Sequence, residues 1–597
     1  MTITFPKPDV EQFFQTLAVS NFTVSPDETH LVLSTNINGQ FNLWGIDLPN
    51  TFPYPLTFKN QAASALSYAQ TGDYIIASFD HDGDENHQIY ALSPQGGALV
   101  DLVVNPDERH YYSTSSEDGK RIYYVTSTDN SEFLNTCVYN LDTKTSTTLL
   151  SGEGAPSYLY TVSPEEDSFV YSKQFGNTHS LLFIHKDNTS TLLTPATDAQ
   201  HTTSSPKYVS NDEIYFVTNY EADLSYLAKY TISTGEFKKV LSIDKEDFDS
   251  VFYSKSEHVL YIGGGFGVED RIYRYDLATE EYSTLPLPTS VVEKLVVAKS
   301  GNLYIMGRSA TRPSNLYVSK NSGQSWEALT SFRIPGVKEE DLVEPEVIHY
   351  NSFDGLEIEA LFFKAHKELS NGHVILWPHG GPQSLERKWF RAMFQVLLNR
   401  GYSIFAPNFR GSSNYGLAFS KMVEGDWGHG PRLDNMEGVK WLIANGYVAA
   451  DKVFVLGGSY GGYMSLLLHG RHAETFKAVV DIFGPSNLFS FINSVPPHWK
   501  SYMDQWVGNP ERDKERLTLD SPITHLDGMT KPMLVIQGAN DPRVVKAESD
   551  QIVAALEEKG RDVQYIVLDD EGHGFSKKKN EIFVYQEIIA FLNQHLS

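Results

Sequence analysis

The sequence contains a single cysteine, Cys137, among its 597 residues. One cysteine cannot form a disulfide bond within the chain, and it cannot supply a cysteine-based metal cluster. We therefore expect a chain that tolerates a reducing compartment.

Basic side chains are also scarce: 48 Lys and Arg stand against 75 Asp and Glu, and the formal net charge is −27. Such a surface repels phosphate backbones and anionic lipids, so we expect neither nucleic acid nor a membrane as a partner. No run approaches the roughly 18 apolar residues that span a bilayer, and the start MTITFPKPDVEQFFQ lacks the apolar core of a signal peptide. The sequence predicts a cytoplasmic protein and leaves a homo-oligomer open.

The first half of the chain is repetitive. Between residues 20 and 330, seven segments share a polar turn, an apolar strand, a polar gap and a second, usually aromatic strand. Their turns recur about every 45 residues, a spacing typical of β-propeller blades. They begin at Ser25, Thr71, Glu117, Ser163, Ser210, Lys255 and Lys299. The sequence predicts a seven-bladed propeller over residues 20–335.

After about residue 335, short apolar strands alternate with longer amphipathic stretches. The predicted strands cover residues 373–377, 402–406, 453–456, 478–482, 533–537 and 563–568. This alternation favours a mostly parallel sheet covered by helices on both faces. We predict a second, α/β domain over residues 336–597. A short helix is expected over residues 9–16, within an N-terminal segment 1–19.

The stretch VFVLGGSYGGYMSLLL, residues 453–468, places Ser459 between two pairs of glycines. A glycine inside a strand or helix costs roughly 0.5–1 kcal/mol relative to alanine, so four of them indicate a crowded backbone. The pattern G-x-S-x-G, formed by Gly457, Ser459 and Gly461 between a strand and a helix, is typical of the nucleophile elbow of α/β-hydrolases. The alternative is a glycine-rich turn with an idle serine.

A serine nucleophile needs a histidine base and an acid that orients it, and in α/β-hydrolases these follow the serine in the order acid, histidine. The strand PMLVIQG leads into AND, which places Asp541 after one strand. The strand VQYIVL leads into DDEGHGF, which places His573 after the next. All three side chains would meet at the carboxyl edge of the sheet. Asp541 could instead cap a helix, and Asp569 and Asp570 are rival acids within the histidine loop.

Acyl transfer also needs N–H donors for the oxyanion, and losing one donor typically costs about 2.7–4 kcal/mol. The N–H of Tyr460, directly after the nucleophile, is one expected donor. The second is expected after an earlier strand, where VILWPHGGP ends in a glycine pair. We predict that the second donor is the N–H of Gly381.

These motifs together resemble the prolyl oligopeptidase family of serine peptidases, and within it the acylaminoacyl peptidase branch. The resemblance covers essentially the whole chain. The matching pieces are HGGP at 379–382, NFRGSSNYG at 408–416, GDWG at 425–428, GGSYGGY at 457–463, NDPRV at 540–544 and EGHGF at 571–575.

The resemblance implies a role for each site residue. It assigns a catalytic triad of Ser459, Asp541 and His573, an oxyanion hole of Gly381 and Tyr460, and a substrate-binding Arg543. It further implies that the N-terminal helix packs on the hydrolase domain and that the propeller restricts entry to short peptides. No metal or cofactor is implied.

Two features of the sequence differ from other branches of this family and so narrow the choice of branch. Dipeptidyl peptidases capture a free amino terminus with a Glu-Glu pair on a propeller helix, whereas Glu165-Glu166 and Glu280-Glu281 lie in predicted blade turns. The loop QSLERKWF after HGGP lacks the tyrosine that other branches use as an oxyanion donor. Free-amine capture is therefore disfavoured, and a backbone donor is favoured.

The favoured function is a serine peptidase that releases N-acylated amino acids from short blocked peptides through an acyl-enzyme. Three alternatives stay open. They are an oligopeptidase or carboxypeptidase-type peptidase of the same family, an esterase for small acyl esters, and, last, a non-catalytic propeller scaffold.

Overall fold

The computed structural model describes residues 6–597, so the first five residues of the expected segment 1–19 lie outside the described residues. Helix α1 spans Val10–Phe14 within the range predicted for it. Asp9 caps it: the Asp9 carboxylate accepts from the Gln12 N–H, and the Gln12 side chain accepts from the Asp9 N–H. This reciprocal arrangement satisfies N–H groups that the first turn leaves unpaired.

Seven separate four-stranded antiparallel sheets follow along the chain, so the predicted seven-bladed propeller is confirmed. In chain order the strands are β1 (Val19–Val24), β2 (His30–Thr35), β3 (Asn42–Asp47), β4 (Pro53–Pro55), β5 (Ala65–Tyr68), β6 (Ile75–Phe79), β7 (Gln88–Leu92), β8 (Val100–Val103), β9 (His110–Ser115), β10 (Arg121–Thr126), β11 (Asn135–Asn140), β12 (Thr145–Ser151), β13 (Ser157–Val162), β14 (Ser168–Gly176), β15 (His179–Lys186), β16 (Thr189–Leu192), β17 (Thr203–Tyr208), β18 (Glu213–Thr218), β19 (Tyr226–Thr231), β20 (Glu236–Leu241), β21 (Asp247–Ser254), β22 (Val259–Gly265), β23 (Asp270–Asp276), β24 (Tyr282–Thr284), β25 (Val291–Val297), β26 (Leu303–Ser309), β27 (Arg312–Ser319) and β28 (Glu327–Ala328).

The strand pair predicted for each blade forms the two middle strands of that blade's sheet. Middle strands are buried on both faces by neighbouring blades; in β6, for example, every residue is buried. The outer strands carry mostly exposed polar side chains, as in β12 and β24. Apolar patterning therefore reveals the middle strands and misses the rest.

The second half forms the α/β-hydrolase fold. In chain order its elements are β29 (Glu346–Asn351), β30 (Glu357–Phe363), β31 (Val374–Leu376), α2 (Ala392–Asn399), β32 (Ser403–Pro407), α3 (Leu417–Lys421), α4 (Gly430–Ala444), β33 (Val453–Gly458), α5 (Tyr460–His472), β34 (Val479–Ile482), α6 (Leu488–Ser494), α7 (Lys500–Trp506), α8 (Lys514–Asp520), β35 (Met533–Gly538), α9 (Lys546–Glu558), β36 (Val563–Leu568) and α10 (Lys578–Gln594).

The eight strands of this domain form one sheet in the order β29-β30-β32-β31-β33-β34-β35-β36. Pairing is parallel from β32 to β36 and antiparallel for β29 and β30, two strands that the sequence analysis did not predict. Alternate residues of each central strand enter different cores. Val453 and Val455 belong to the core on one face, and Phe454 and Leu456 to the core on the other.

Residues 329–345 connect the last propeller strand to the first strand of this sheet. The expected boundary at 335/336 falls inside this connection and stays a prediction.

Helix α1 lies against the hydrolase domain. Phe13 and Phe14 are buried in the core that contains helices α2 and α10, and the Phe14 ring stacks on Tyr585 with centroids 4.8 Å apart. Burial of two aromatic side chains anchors the N-terminal segment to a domain more than 300 residues later in the chain.

Across residues 6–597, no helix combines the length and apolarity needed to cross a membrane.

We predict that Phe13→Ala lowers the free energy of unfolding of the hydrolase domain by about 3–5 kcal/mol, because it removes a fully buried aromatic side chain. Urea unfolding measures this change. Phe52→Ala is the control, since Phe52 is 83% exposed and its loss should change stability by less than about 0.5 kcal/mol. Equal effects of the two substitutions would contradict the packing described for α1.

Candidate active site

Ser459 occupies a strained turn between β33 and α5. Its backbone has φ 58° and ψ −123°, a region that costs a non-glycine residue roughly 1–3 kcal/mol. The turn is held by two hydrogen bonds: the Ser459 N–H donates to the Ile482 carbonyl at 2.9 Å, and the Tyr463 N–H donates to the Ser459 carbonyl at 3.0 Å. Neighbouring backbone thus holds the serine in a conformation that it would otherwise avoid.

The glycines of the motif allow this close approach. A Cβ on Gly457 would overlap the backbone of Gly461, and one on Gly461 would overlap the Pro378 carbonyl oxygen. Crowding of backbone against backbone is therefore the reason for the glycines, as the sequence analysis expected.

The structure brings Ser459, His573 and Asp541 together. His573 Nε2 lies 2.9 Å from Ser459 Oγ, and His573 Nδ1 lies 2.6 Å from Asp541 Oδ2. The side chain of Asp541 is inaccessible to solvent and that of His573 is 8% exposed. A carboxylate in this position orients the imidazole and stabilises its protonated form, while Nε2 can take the serine proton.

Asp541 is fixed by its own loop. Its second oxygen, Oδ1, accepts the N–H groups of Arg543 at 2.9 Å and Val544 at 3.0 Å. The rival acid Asp570 points elsewhere, because its carboxylate binds Lys577 and Asn580. Asp541 is the carboxylate that contacts the histidine.

The two expected oxyanion donors lie beside the serine. Tyr460 begins helix α5 directly after Ser459, so its N–H lies at the positive end of the helix. Gly380, the neighbour of Gly381, approaches so closely that a Cβ built on it would lie 3.4 Å from Ser459 Cβ. Within residues 6–597, no hydrogen-bond acceptor is assigned to the Tyr460 or Gly381 N–H. Both donors are therefore free to bind a substrate oxygen, and their role stays a prediction.

A residue that the sequence analysis did not assign supports this loop. The buried His379 ring stacks on Phe409 with centroids 4.2 Å apart, and burial lowers the pKa of His379 to about 4. Its Nδ1 lies 2.7 Å from the Gly380 carbonyl and its Nε2 lies 2.8 Å from Ser412 Oγ. A carbonyl only accepts, so the neutral ring carries its proton on Nδ1.

This hydrogen bond constrains the peptide unit that carries the predicted oxyanion donor, the Gly381 N–H. The Gly380 carbonyl and the Gly381 N–H belong to one planar peptide unit, so fixing the carbonyl fixes the direction of the N–H. We therefore expect His379 to position the N–H of Gly381, the predicted oxyanion donor. The HGGP motif was visible in the sequence, but the ring contact needs the fold.

A propeller loop also reaches the site. The carboxylate of Glu85 accepts from Arg543 Nε at 2.6 Å. In the same loop, Asp82 binds Lys577 at 2.9 Å, and Gly83 packs against the backbone of Gly572 in the histidine loop. Sequence reasoning missed Glu85, because nothing local indicates a partner more than 450 residues away.

In the part of the chain that the structure describes, no group of three or more His, Cys, Asp or Glu side chains is arranged to hold a metal ion.

The chain is similar to known peptidases. The profile of the prolyl oligopeptidase family matches residues 388–597, which include all three residues of the predicted triad. A dipeptidyl aminopeptidase BIII of Pseudoxanthomonas mexicana is 27% identical over 588 residues, covering 94% of this chain and 84% of that protein. An acylamino-acid-releasing enzyme of Arabidopsis thaliana is 29% identical over 248 residues, covering 40% of this chain and 32% of that protein.

Among solved structures, a puromycin-hydrolyzing peptidase of Mycobacterium tuberculosis superposes with a TM-score of 0.86 at 18% identity. The superposition covers 100% of this chain and 97% of that chain. At this identity the likeness concerns the fold, in both the propeller and the α/β-hydrolase domain.

We predict that His379→Leu lowers kcat roughly 10- to 100-fold and leaves KM within about threefold, because a misdirected Gly381 N–H weakens only the transition state. His379→Asn keeps an N–H donor near the position of Nδ1 and should recover most of the activity. Steady-state kinetics on a peptide anilide separates kcat from KM, and thermal unfolding confirms that both variants fold. Equal losses in the two variants, or a loss confined to KM, would contradict the positioning role.

Proposed function

From the premise that residues 388–597 of this serine peptidase belong to the prolyl oligopeptidase family, we propose that the enzyme releases N-acylated amino acids from short blocked peptides. The observation that carries the peptidase chemistry is the continuous hydrogen-bonded chain from Asp541 through His573 to Ser459.

The proposed reaction proceeds through an acyl-enzyme. His573 takes the proton of Ser459 as its oxygen attacks the peptide carbonyl, and Asp541 stabilises the imidazolium that forms. The N–H groups of Gly381 and Tyr460 bind the oxyanion. His573 then protonates the leaving amine, and water, activated by the same imidazole, releases the acyl group.

The preference for short peptides is supported by the propeller that covers the site. Arg387 contacts Asp270 at 2.8 Å, and the Ala418 N–H donates to Asp223 at 2.7 Å, so the two domains touch well away from the Glu85 loop. A covered site of this kind admits flexible peptides and excludes folded proteins.

The preference for a blocked amino terminus is supported by the state of Glu85. A free ammonium group needs a carboxylate to offset the loss of its hydration. The propeller carboxylate that reaches the loop of Asp541 is Glu85, which is already paired with Arg543 and is 20% exposed. An acyl group makes no such demand, and the Arg543 guanidinium can donate to its carbonyl oxygen.

We expect an acetylated amino-acid anilide to show a kcat/KM at least about tenfold above that of the matching free dipeptide anilide, a difference of about 1.4 kcal/mol. Steady-state kinetics with acetylated and free substrates that share the same apolar residue before the cleaved bond measures this ratio of kcat/KM values. Arg543→Ala should raise KM for the acetylated substrate more than it lowers kcat, because it removes a ground-state contact. A preference for the free substrate would overturn the acyl assignment.

A second candidate, release of dipeptides from free amino termini, is favoured by one observation. The similarity to a dipeptidyl aminopeptidase extends over 94% of this chain and so includes the propeller that carries Glu85. Under this alternative Glu85 turns from Arg543 to the substrate ammonium, and Glu85→Gln abolishes the cleavage of free dipeptide anilides. Under the acyl assignment, the same substitution leaves the acetylated substrate preferred.

We predict that a fluorophosphonate probe labels the wild-type protein and not Ser459→Ala, and that this variant loses at least roughly 10⁴-fold in kcat. Labelling is read on a gel. Ser465→Ala is the control, because Ser465 lies on the helix that follows Ser459 and its hydroxyl donates to the Gly461 carbonyl. This variant should still be labelled.

An unlabelled wild-type protein would favour the non-catalytic scaffold. A higher kcat/KM for short-chain esters than for every peptide would favour the esterase.

A further inference from the structure

A turn of the propeller contacts the oxyanion loop, residues 379–384. Asn177 and Thr178 form the two-residue turn between β14 and β15. The Asn177 side-chain N–H donates to Gln383 Oε1 at 2.7 Å. Gln383 lies two residues after Gly381, whose N–H is the predicted oxyanion donor. A propeller side chain is therefore bonded to the loop that carries this donor.

The nitrogen of the same Gln383 amide is bound by the hydrolase domain. Its Nε2 donates to the Ser420 carbonyl at 3.1 Å and to Glu424 Oε1 at 3.3 Å. The Gln383 side chain thus bridges the two domains, with its acceptor used by the propeller and its donors used by the hydrolase domain. The amide is fully bonded only while the two domains are in contact.

Glu424 fixes the propeller turn at this position. The Thr178 hydroxyl donates to Glu424 Oε1, while Gln505 Nε2 and Lys421 Nζ donate to Glu424 Oε2 at 2.9 and 3.2 Å. The Glu424 side chain is 9% exposed, and Thr178 is buried. Hydrogen bonds to a carboxylate are stronger than those between neutral groups, so this carboxylate holds the turn against the oxyanion loop.

The backbone between Gln383 and the donor is short and stiff. Only Pro382 separates Gln383 from Gly381, and its ring locks the φ angle, so a displacement of Gln383 also moves Gly381. On the other side of the donor, His379 Nδ1 lies 2.7 Å from the Gly380 carbonyl. The segment around the Gly381 N–H is therefore held from two sides, by a buried ring of the hydrolase domain and by a propeller side chain.

We propose, on the basis of the function proposed above, that Asn177 is a positioning residue for the Gly381 N–H. The propeller then contributes to catalysis as well as covering the site. Without the Asn177 contact, Gln383 loses its anchor on the propeller, and the Gly381 N–H spreads over directions that bind the oxyanion less well. This weakens the transition state and leaves the bound substrate unaffected, because the oxyanion exists only in the former.

Steady-state kinetics of Asn177→Ala tests the proposal on the full-length enzyme, with whichever anilide the wild type cleaves faster, acetylated or free. The kcat should fall roughly 5- to 20-fold and KM should stay within about threefold, a smaller loss than that of a whole donor. The rate of fluorophosphonate labelling should fall by a similar factor, because the phosphonyl oxygen binds the same N–H groups. Asn177 is exposed, so the variant should fold, and thermal unfolding checks this.

Glu269→Ala is the matched control. The Glu269 carboxylate binds Lys388 Nζ at 2.6 Å at another contact between the domains, so this variant weakens the interface away from the oxyanion loop. Its kcat should stay within about twofold of wild type. Gln383→Ala should lower kcat at least as much as Asn177→Ala, and the double variant should lose no more than Gln383→Ala alone, because both act through one side chain.

Four results on an active wild type overturn the positioning role and leave the peptidase assignment intact. They are an unchanged kcat in Asn177→Ala, a change confined to KM, a loss equal to that in Glu269→Ala, and losses that multiply in the double variant. A wild type that neither cleaves an anilide nor reacts with the fluorophosphonate overturns the proposed function, and the positioning role with it.

Discussion

Parallel pairing of β31, β33, β34, β35 and β36 is the constraint on which the active site depends. Parallel neighbours end at the same edge of a sheet, so the loops after four of these strands meet there. The HGGP loop follows β31, Ser459 follows β33, Asp541 follows β35 and His573 follows β36. Ser459 and His573, which are 114 positions apart in the chain, thereby come within hydrogen-bond distance, and His573 reaches Asp541 in the same way. The strained serine and the buried carboxylate persist because the apolar cores on both faces of the sheet hold these strand ends in register.

The propeller meets this edge through polar contacts. Asp270–Arg387, Asp82–Lys577 and Glu85–Arg543 are partly exposed ion pairs, each of which contributes roughly 0–1 kcal/mol. By contrast, Phe13 and Phe14 bury their rings in the hydrolase core. The N-terminal segment is therefore anchored to the hydrolase domain by apolar burial, whereas these three contacts between the domains are polar.

The sequence analysis predicted the middle strands of every blade and the six parallel strands of the hydrolase sheet, because strands buried on both faces have continuous apolar runs. It missed β29 and β30, although the turn SFDG between two alternating runs was a usable signal. It also missed helices α6, α7 and α8. These helices are short, and Pro496 and Pro497 lie between α6 and α7. Local pattern is weak wherever burial is one-sided or an element is only two turns long.

The sequence by itself determined the fold class, the order of the three proposed catalytic residues and the glycines around the nucleophile, since each of these follows from periodicity and local backbone geometry. Only the tertiary structure decided that His379 contacts the Gly380 carbonyl and that Glu85 faces Arg543. The reason is physical: a hydrogen bond or a desolvation penalty depends on distances between elements that packing brings together, and no local pattern encodes those distances.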